Sequence, residues 1–146
     1  MAELIQITDP IKDIEKLKKC AKYVDEGGLV VFPTETVYGI ACRVDKKSLA
    51  RLDEVKVRNP EKRYTLHIGN KNKLSEFVPN LTPPAKKLVN NAWPGPLTIV
   101  FELSNDVLRK LKDKFGKETA EILYQNNTIG VRCPDQAVAA KLLDLC

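Results

Sequence analysis

A four-residue apolar run that ends at a proline constrains the fold of this chain more than any other sequence feature. Residues 29–32 are too few for a lone helix and are typical of a buried strand, which Pro33 ends because it cannot donate a backbone hydrogen bond. In an extended continuation, Thr34 and Thr36 point to one side and Glu35 to the other. This pattern predicts either one wall of a ligand site or an ordinary edge strand, since threonine favours strands in any case.

Length and composition indicate one globular domain over residues 1–146. The hydrophobic content of 43% and the charged content of 29% are ordinary for that class. No apolar run approaches the ~20 residues of a membrane span, and the N-terminus lacks the basic and apolar regions of a signal peptide. The four cysteines lack CxxC spacing and the chain has one histidine, so neither a zinc site nor a disulfide framework is indicated. These features predict a reduced, cytoplasmic protein.

Helical and strand-like segments alternate along the chain. Helix starts are predicted at four residues whose side chains can cap an N-terminus: Asp9, Asp45, Thr82 and Asp135. A polar helical stretch covers residues 105–123, and strands are predicted at residues 29–32, 64–68, 97–103 and 128–132. This order predicts an α/β fold in which helices flank a twisted, mixed sheet.

The chain has a net charge of +5, and some of its basic residues cluster at a predicted helix-to-strand junction. Lys56, Arg58 and Lys62 could converge there on a polyphosphate, because arginine binds phosphate bidentately and lysine supplies a mobile point charge. Binding of nucleic acid and simple solvation of a helix end are the alternatives. The chain has no Walker-type or dinucleotide-binding glycine motif, so a nucleotide site here is of another kind.

Two further residues lie on predicted strands at positions where a ligand could bind. His67 shares one face of its strand with Thr65, and it is either a ligand contact or a structural hydrogen-bonding residue. Arg132 ends the strand at residues 128–132, and strand ends are where α/β sheets usually bind ligands. A salt bridge with Asp135 or another carboxylate is the alternative role for Arg132.

In chain order, the segments PTETVYGI, KVR, LHI, WPGPLTIVF and GVRCP resemble the YrdC-like threonylcarbamoyl-AMP synthase family. The resemblance covers residues 28–134 and implies a twisted α/β fold with a concave, basic surface. It implies a nucleotidyltransferase that condenses L-threonine, bicarbonate and ATP, with Mg²⁺, into threonylcarbamoyl-adenylate and pyrophosphate. A downstream transferase would then use the product to modify adenosine in tRNA.

The resemblance also implies roles for single residues. The positions that match the family's L-threonine contacts are Thr34, Thr36, His67 and Arg132. The positions that match its ATP contacts are Lys56, Arg58, Lys62 and Thr128. Arg132 would hold the threonine carboxylate with a bidentate fork. No protein nucleophile and no protein-bound metal are implied, since cations that neutralise the phosphates supply most of the catalysis.

The chain departs from the family pattern at two places. Arg63 and Tyr64 stand where the family usually has Pro-Leu, which adds a charge and an aromatic ring near the phosphate site. The sequence also stops at Cys146, before the segment in which the family carries a Ser-Ala-Asn motif. This predicts a C-terminally truncated domain or a short relative with altered activity. An RNA-binding module for tRNA or double-stranded RNA, without full catalytic activity, is the alternative function.

Overall fold

Helices and short strands are mixed along the chain, without strict alternation, in a computed structural model that describes residues 2–57 and 62–146. The helices are α1 (Ile14–Asp25), α2 (Lys46–Lys56), α3 (Leu74–Phe77), α4 (Pro83–Ala92), α5 (Asn105–Phe115), α6 (Lys117–Leu123) and α7 (Ala137–Leu145). The strands are β1 (Val30–Phe32), β2 (Gly39–Ala41), β3 (Leu66–His67), β4 (Ile99–Glu102) and β5 (Thr128–Arg132). The predicted mixed α/β class is confirmed.

The strands of the described residues form two small sheets. β1 and β2 make an antiparallel pair in which Phe32 lies opposite Gly39. The other sheet has the order β3-β5-β4, so that β5 is central, parallel to β3 and antiparallel to β4. The parallel register places His67 beside Arg132, at the carboxyl ends of their strands. Two residues that the sequence analysis selected separately are therefore neighbours.

Side-chain caps begin several helices, and two of the predicted caps are correct. The side chains of Asp45 and Thr82 accept the backbone N–H three residues further on, at 2.8 and 3.4 Å. Asp9 instead accepts N–H groups in a turn that precedes α1. Gln136 rather than Asp135 caps α7, because Gln136 still has an extended backbone (φ −149°) and the helix begins after it.

The predicted helical stretch at residues 105–123 is two helices. Gly116 separates α5 from α6 with a φ of +84°, a left-handed value that favours glycine and interrupts helical geometry. α3, preceded by a 3-10 turn at Lys71–Lys73, is a helix that the periodicity did not predict. Within the described ranges, no helix is long and apolar enough to cross a membrane.

Two hydrophobic clusters hold these elements together. The larger one lies between the three-stranded sheet and helices α3 to α6, and it includes Trp93 and the fully enclosed Val131. The smaller one joins α1, α7 and β1 through Leu17, Leu142 and Phe32. Phe32 belongs to this second cluster and also ends β1, so the start of the following segment is fixed by a buried aromatic ring.

Candidate functional site

Three strand ends meet around Arg132. β5 ends at Arg132, and β3 ends beside it at His67. β1 ends at Phe32, whose ring packs edge-on against the His67 imidazole with centroids 5.9 Å apart. The segment that follows Phe32 therefore starts next to the other two strand ends. We call the group formed by Glu35, Thr36, His67 and Arg132 the Arg132 corner.

The Arg132 guanidinium binds two side chains of the segment after β1. Its Nη2 donates to Glu35 Oε1 at 2.8 Å and to Thr36 Oγ1 at 3.0 Å. The ion pair is sheltered, since the side chains of Arg132 and Glu35 are only 13% and 20% exposed. The Arg132 Nε is enclosed and has no hydrogen-bond partner among the described residues. The salt bridge considered for Arg132 therefore exists, with Glu35 rather than Asp135 as its partner.

A turn closed by Thr34 brings Glu35 to this corner. The Thr34 hydroxyl donates to the Val37 carbonyl and accepts the N–H groups of Thr36 and Val37 at 3.3 and 3.2 Å. The hydroxyls of Thr34 and Thr36 lie 3.1 Å apart, as expected for residues on one side of the chain. The expectation that Glu35 points to the opposite side is wrong, because the chain bends here and Glu35 and Thr36 both reach Arg132.

The environment of His67 favours the neutral imidazole. Burial is the main cause that lowers its pKa, and the positive charges of Arg132 and Lys56 act in the same direction. The Thr65 carbonyl, 3.2 Å from Nδ1, and the Glu35 carboxylate oppose this shift without cancelling it. The Thr65 carbonyl can only accept, so Nδ1 carries the proton of the neutral ring and Nε2 is left to accept a hydrogen bond from a hydroxyl group.

We expect the pKa of His67 to lie below about 6.5, its unperturbed value. Because the unfolded chain then binds the proton more tightly, this residue lowers the stability of the fold as pH falls below about 6.5. His67 is the only histidine in the chain, so its proton resonances can be followed by NMR without ambiguity. The variant Arg132→Gln should raise the midpoint, since it removes a nearby positive charge. A wild-type midpoint at or above 6.5 would contradict this description.

The predicted phosphate-binding lysines line a concavity that reaches the Arg132 corner at His67. Lys56 and Lys62 both border a concavity of about 690 Å³, and His67 borders it too. The Lys56 Nζ lies 5.8 Å from the centre of the Tyr64 ring. Arg58, the third member of the predicted cluster, lies outside the described residues. The concavity therefore joins the described lysines to one member of the Arg132 corner.

More of the described charged side chains around this concavity are basic than acidic. The basic ones are Arg43, Lys56, Lys62, Arg63 and Lys73, and the acidic ones are Asp25, Asp53 and Glu76. Thr34, Thr36, Thr128 and Arg132 are not among the described residues of its lining. Of the described residues with predicted ligand roles, Lys56, Lys62 and His67 therefore border the concavity, and the other four lie outside its described lining.

Arg63 links the basic segment to the start of β5. Its Nη1 donates to the Gln125 carbonyl at 2.9 Å and to the Thr128 hydroxyl at 2.6 Å. The Thr128 hydroxyl in turn donates to the Gln125 carbonyl at 3.0 Å. Thr128, predicted to contact ATP, thus lies beside the residue that follows Lys62. The extra charge at Arg63 has a structural contact that the sequence did not reveal.

Comparisons with known proteins place the chain in one family. Residues 22–146 match the sequence model of the Sua5/YciO/YrdC family, which carries the description "Telomere recombination". The chain is 31% identical over 146 residues to the threonylcarbamoyl-AMP synthase of Pyrococcus abyssi and 31% identical over 129 residues to that of Neisseria gonorrhoeae. It is also similar to the crystal structure of P. abyssi Sua5 complexed with L-threonine, with a TM-score of 0.72 and 31% identity.

The matches cover most of this chain but only part of each relative. The alignment with the P. abyssi synthase includes 99% of this chain and 39% of the relative, and that with the N. gonorrhoeae synthase includes 86% and 61%. The superposition on P. abyssi Sua5 covers 90% of this chain and 36% of that structure.

Proposed function

This chain belongs to the Sua5/YciO/YrdC family, and on that premise we propose that it acts as a threonylcarbamoyl-AMP synthase. The reaction would condense L-threonine, bicarbonate and ATP into threonylcarbamoyl-adenylate, pyrophosphate and water. The observation that carries the proposal is the Arg132 corner, in which Thr36, His67 and Arg132 converge from segments far apart in the chain. These are three of the four positions that the sequence analysis assigned to L-threonine.

The Arg132 corner is suited to a hydroxylated amino acid. The Arg132 Nε is enclosed and has no described partner, and together with Nη2 it forms an edge that could bind both oxygens of a carboxylate once a neighbouring side chain moves aside. The neutral imidazole of His67, with Nδ1 directed at the Thr65 carbonyl, supplies Nε2 as an acceptor for the hydroxyl group. Thr36 adds a second hydroxyl, and Thr34 supports it by closing the turn. The corner can therefore address both polar ends of L-threonine.

We assign the nucleotide to Lys56, Arg58, Lys62 and Thr128. ATP would bind as its magnesium complex, and the lysines would neutralise charge on the α-phosphate under attack and on the departing pyrophosphate. The threonine amine and bicarbonate would form a carbamate with loss of water. The carbamate oxygen would attack the α-phosphorus as the bond to pyrophosphate breaks, with no covalent protein intermediate.

The state of the cysteines supports a mechanism without a protein nucleophile. Burial raises the pKa of the Cys20, Cys42 and Cys133 thiols, and the pKa of Cys42 reaches about 11. A thiol is a strong nucleophile only as the thiolate, so these side chains are poorly suited to attack at neutral pH. The reaction is therefore assigned to positioning and charge neutralisation.

The chemistry of the product indicates which class of reaction would follow. A mixed anhydride such as threonylcarbamoyl-adenylate is an activated acyl donor, and a transferase that acts on tRNA adenosine would consume it. We propose that residues 1–146 form one such catalytic domain in the cytoplasm.

Pyrophosphate release should require L-threonine, bicarbonate and ATP together.

Lys62→Ala should weaken ATP binding about ten- to hundredfold, because a hydrogen bond to a charged group is worth about 1.5–3 kcal/mol. Lys87→Ala is the matched control, since Lys87 is an exposed lysine of α4 outside the described concavity lining. Calorimetry with ATP and an assay of pyrophosphate measure the two effects. A chain that binds tRNA or double-stranded RNA but releases no pyrophosphate would instead be an RNA-binding module.

A further inference from the structure

The Glu35 carboxylate belongs to the ion pair of the Arg132 corner, but the contacts proposed for L-threonine give it no role. Glu35 comes within 2.8 Å of Arg132, and only a fifth of its side chain is exposed. Burial alone would raise its pKa, but the hydrogen bond and charge of Arg132, together with backbone N–H groups of Glu35 and Asp135, outweigh that effect and keep the pKa below its ordinary value. Glu35 is thus held as an anion directly beside the group assigned to the substrate carboxylate.

The two charges of this pair complement those of an amino acid. An α-amino acid is a zwitterion whose carboxylate and ammonium groups are attached to the same carbon. An arginine and a glutamate in contact offer one partner for each group. We propose that Glu35 binds the α-ammonium group of the substrate when the substrate carboxylate binds Arg132; this inference rests on the proposed function.

The contacts around Arg132 require the pair to open for this. Glu35 and Thr36 together use both hydrogens of Nη2, while Nε has no described partner. A bidentate carboxylate on the Nε–Nη2 edge must therefore displace one of them. If Glu35 moves onto the ammonium group, the Arg132–Glu35 contact is replaced by two, Arg132 with the substrate carboxylate and Glu35 with the ammonium group. Neither protein charge is then left unpaired in this sheltered site.

The segment that carries Glu35 is built so that it can shift. It lies between β1 and β2 and takes no part in their ladder, which ends with Phe32 opposite Gly39. Hydrogen bonds of the Thr34 hydroxyl hold its shape from within, and Arg132 holds Glu35 and Thr36 from outside the segment. A small displacement of Glu35 therefore need not break the β1–β2 pairing or the core around Phe32.

The test compares two ligands that differ only in the ammonium group. (R)-3-hydroxybutyrate has the carboxylate and the hydroxyl of L-threonine but lacks its α-amino group. The wild-type protein should bind L-threonine about ten- to hundredfold more tightly than (R)-3-hydroxybutyrate, the range for one charged hydrogen bond. In Glu35→Gln this preference should fall to within about threefold, chiefly because threonine binding weakens. Calorimetric titration gives both affinities.

Two further variants separate recognition from a merely structural effect. Glu35→Asp keeps the charge and should retain part of the preference for the amino group. Asp106→Asn is the matched control, because Asp106 also pairs with an arginine at 2.8 Å but lies on the exposed surface of α5. It should leave both affinities unchanged. Thermal unfolding of each variant shows whether the fold is retained.

The outcomes distinguish this inference from the function on which it rests. If Glu35→Gln weakens both ligands by the same factor, Glu35 only braces Arg132, and the inference is wrong while the function stands. If Glu35→Gln strengthens both ligands, Glu35 is a competitor for Arg132 and does not bind the ammonium group. If the wild-type protein binds neither ligand, the proposed function and the inference are both overturned.

Discussion

Replacing Arg132 with glutamine is expected to lower the affinity for L-threonine by at least about a hundredfold. A bidentate carboxylate makes two charge-assisted hydrogen bonds to a guanidinium, each worth about 1.5–3 kcal/mol. Glutamine offers only one neutral donor group. It also leaves the Glu35 carboxylate without its partner, and this unpaired anion repels the incoming substrate carboxylate. Calorimetric titration of the variant with L-threonine measures the loss directly.

Two other variants show whether this loss is specific. Arg132→Lys keeps the positive charge beside Glu35 but lacks the fork, so it should retain binding at an intermediate affinity. Arg109→Gln removes an arginine that also pairs with a carboxylate at 2.8 Å, on the exposed surface of α5, and it should bind threonine normally. Unchanged threonine affinity in Arg132→Gln, with the fold intact by thermal unfolding, would remove Arg132 from the site.

Local sequence signals predicted the elements that depend on neighbouring residues. The strand at residues 128–132 was predicted with its observed bounds, because apolar and polar residues alternate there and Pro134 follows soon after. Asp45 and Thr82 were predicted as caps because the group that they bond lies only three residues away. Such signals need no knowledge of the rest of the chain.

The contacts that define the Arg132 corner depend on the tertiary fold. Arg132 and Glu35 are 97 positions apart, and Arg63 and Thr128 are 65 apart. Neither pair follows from periodicity, which describes faces of single elements. The motif order placed Thr36, His67 and Arg132 in one site, but it could not show that Arg132 already has an acidic partner.

The prediction for Glu35 failed for a local reason. Alternation assigns opposite faces only in extended backbone, and the chain bends after Pro33. The signal for that bend was present, since a threonine hydroxyl can bond to backbone groups two or three residues ahead. The same residue type also favours strands, so the sequence left both conformations open.

Rejection of L-valine is the other large effect that we expect. Valine has nearly the shape of threonine but carries a methyl group in place of the hydroxyl. A half-buried imidazole that bonds the hydroxyl of threonine would lose its partner when valine binds, at a cost of about 1–3 kcal/mol. L-Serine keeps the hydroxyl and lacks one methyl group, so it should lose only about 1 kcal/mol.

Parallel titration of the wild-type protein with L-threonine, L-serine and L-valine tests the central claim most directly, because it asks whether the Arg132 corner is a threonine site. We expect L-threonine to bind most tightly, L-serine about fivefold more weakly and L-valine about a hundredfold more weakly. The variant His67→Phe, which keeps an aromatic ring beside Phe32, should abolish the preference for threonine over valine. Equal affinity of the wild-type protein for L-threonine and L-valine would contradict the assignment of this site.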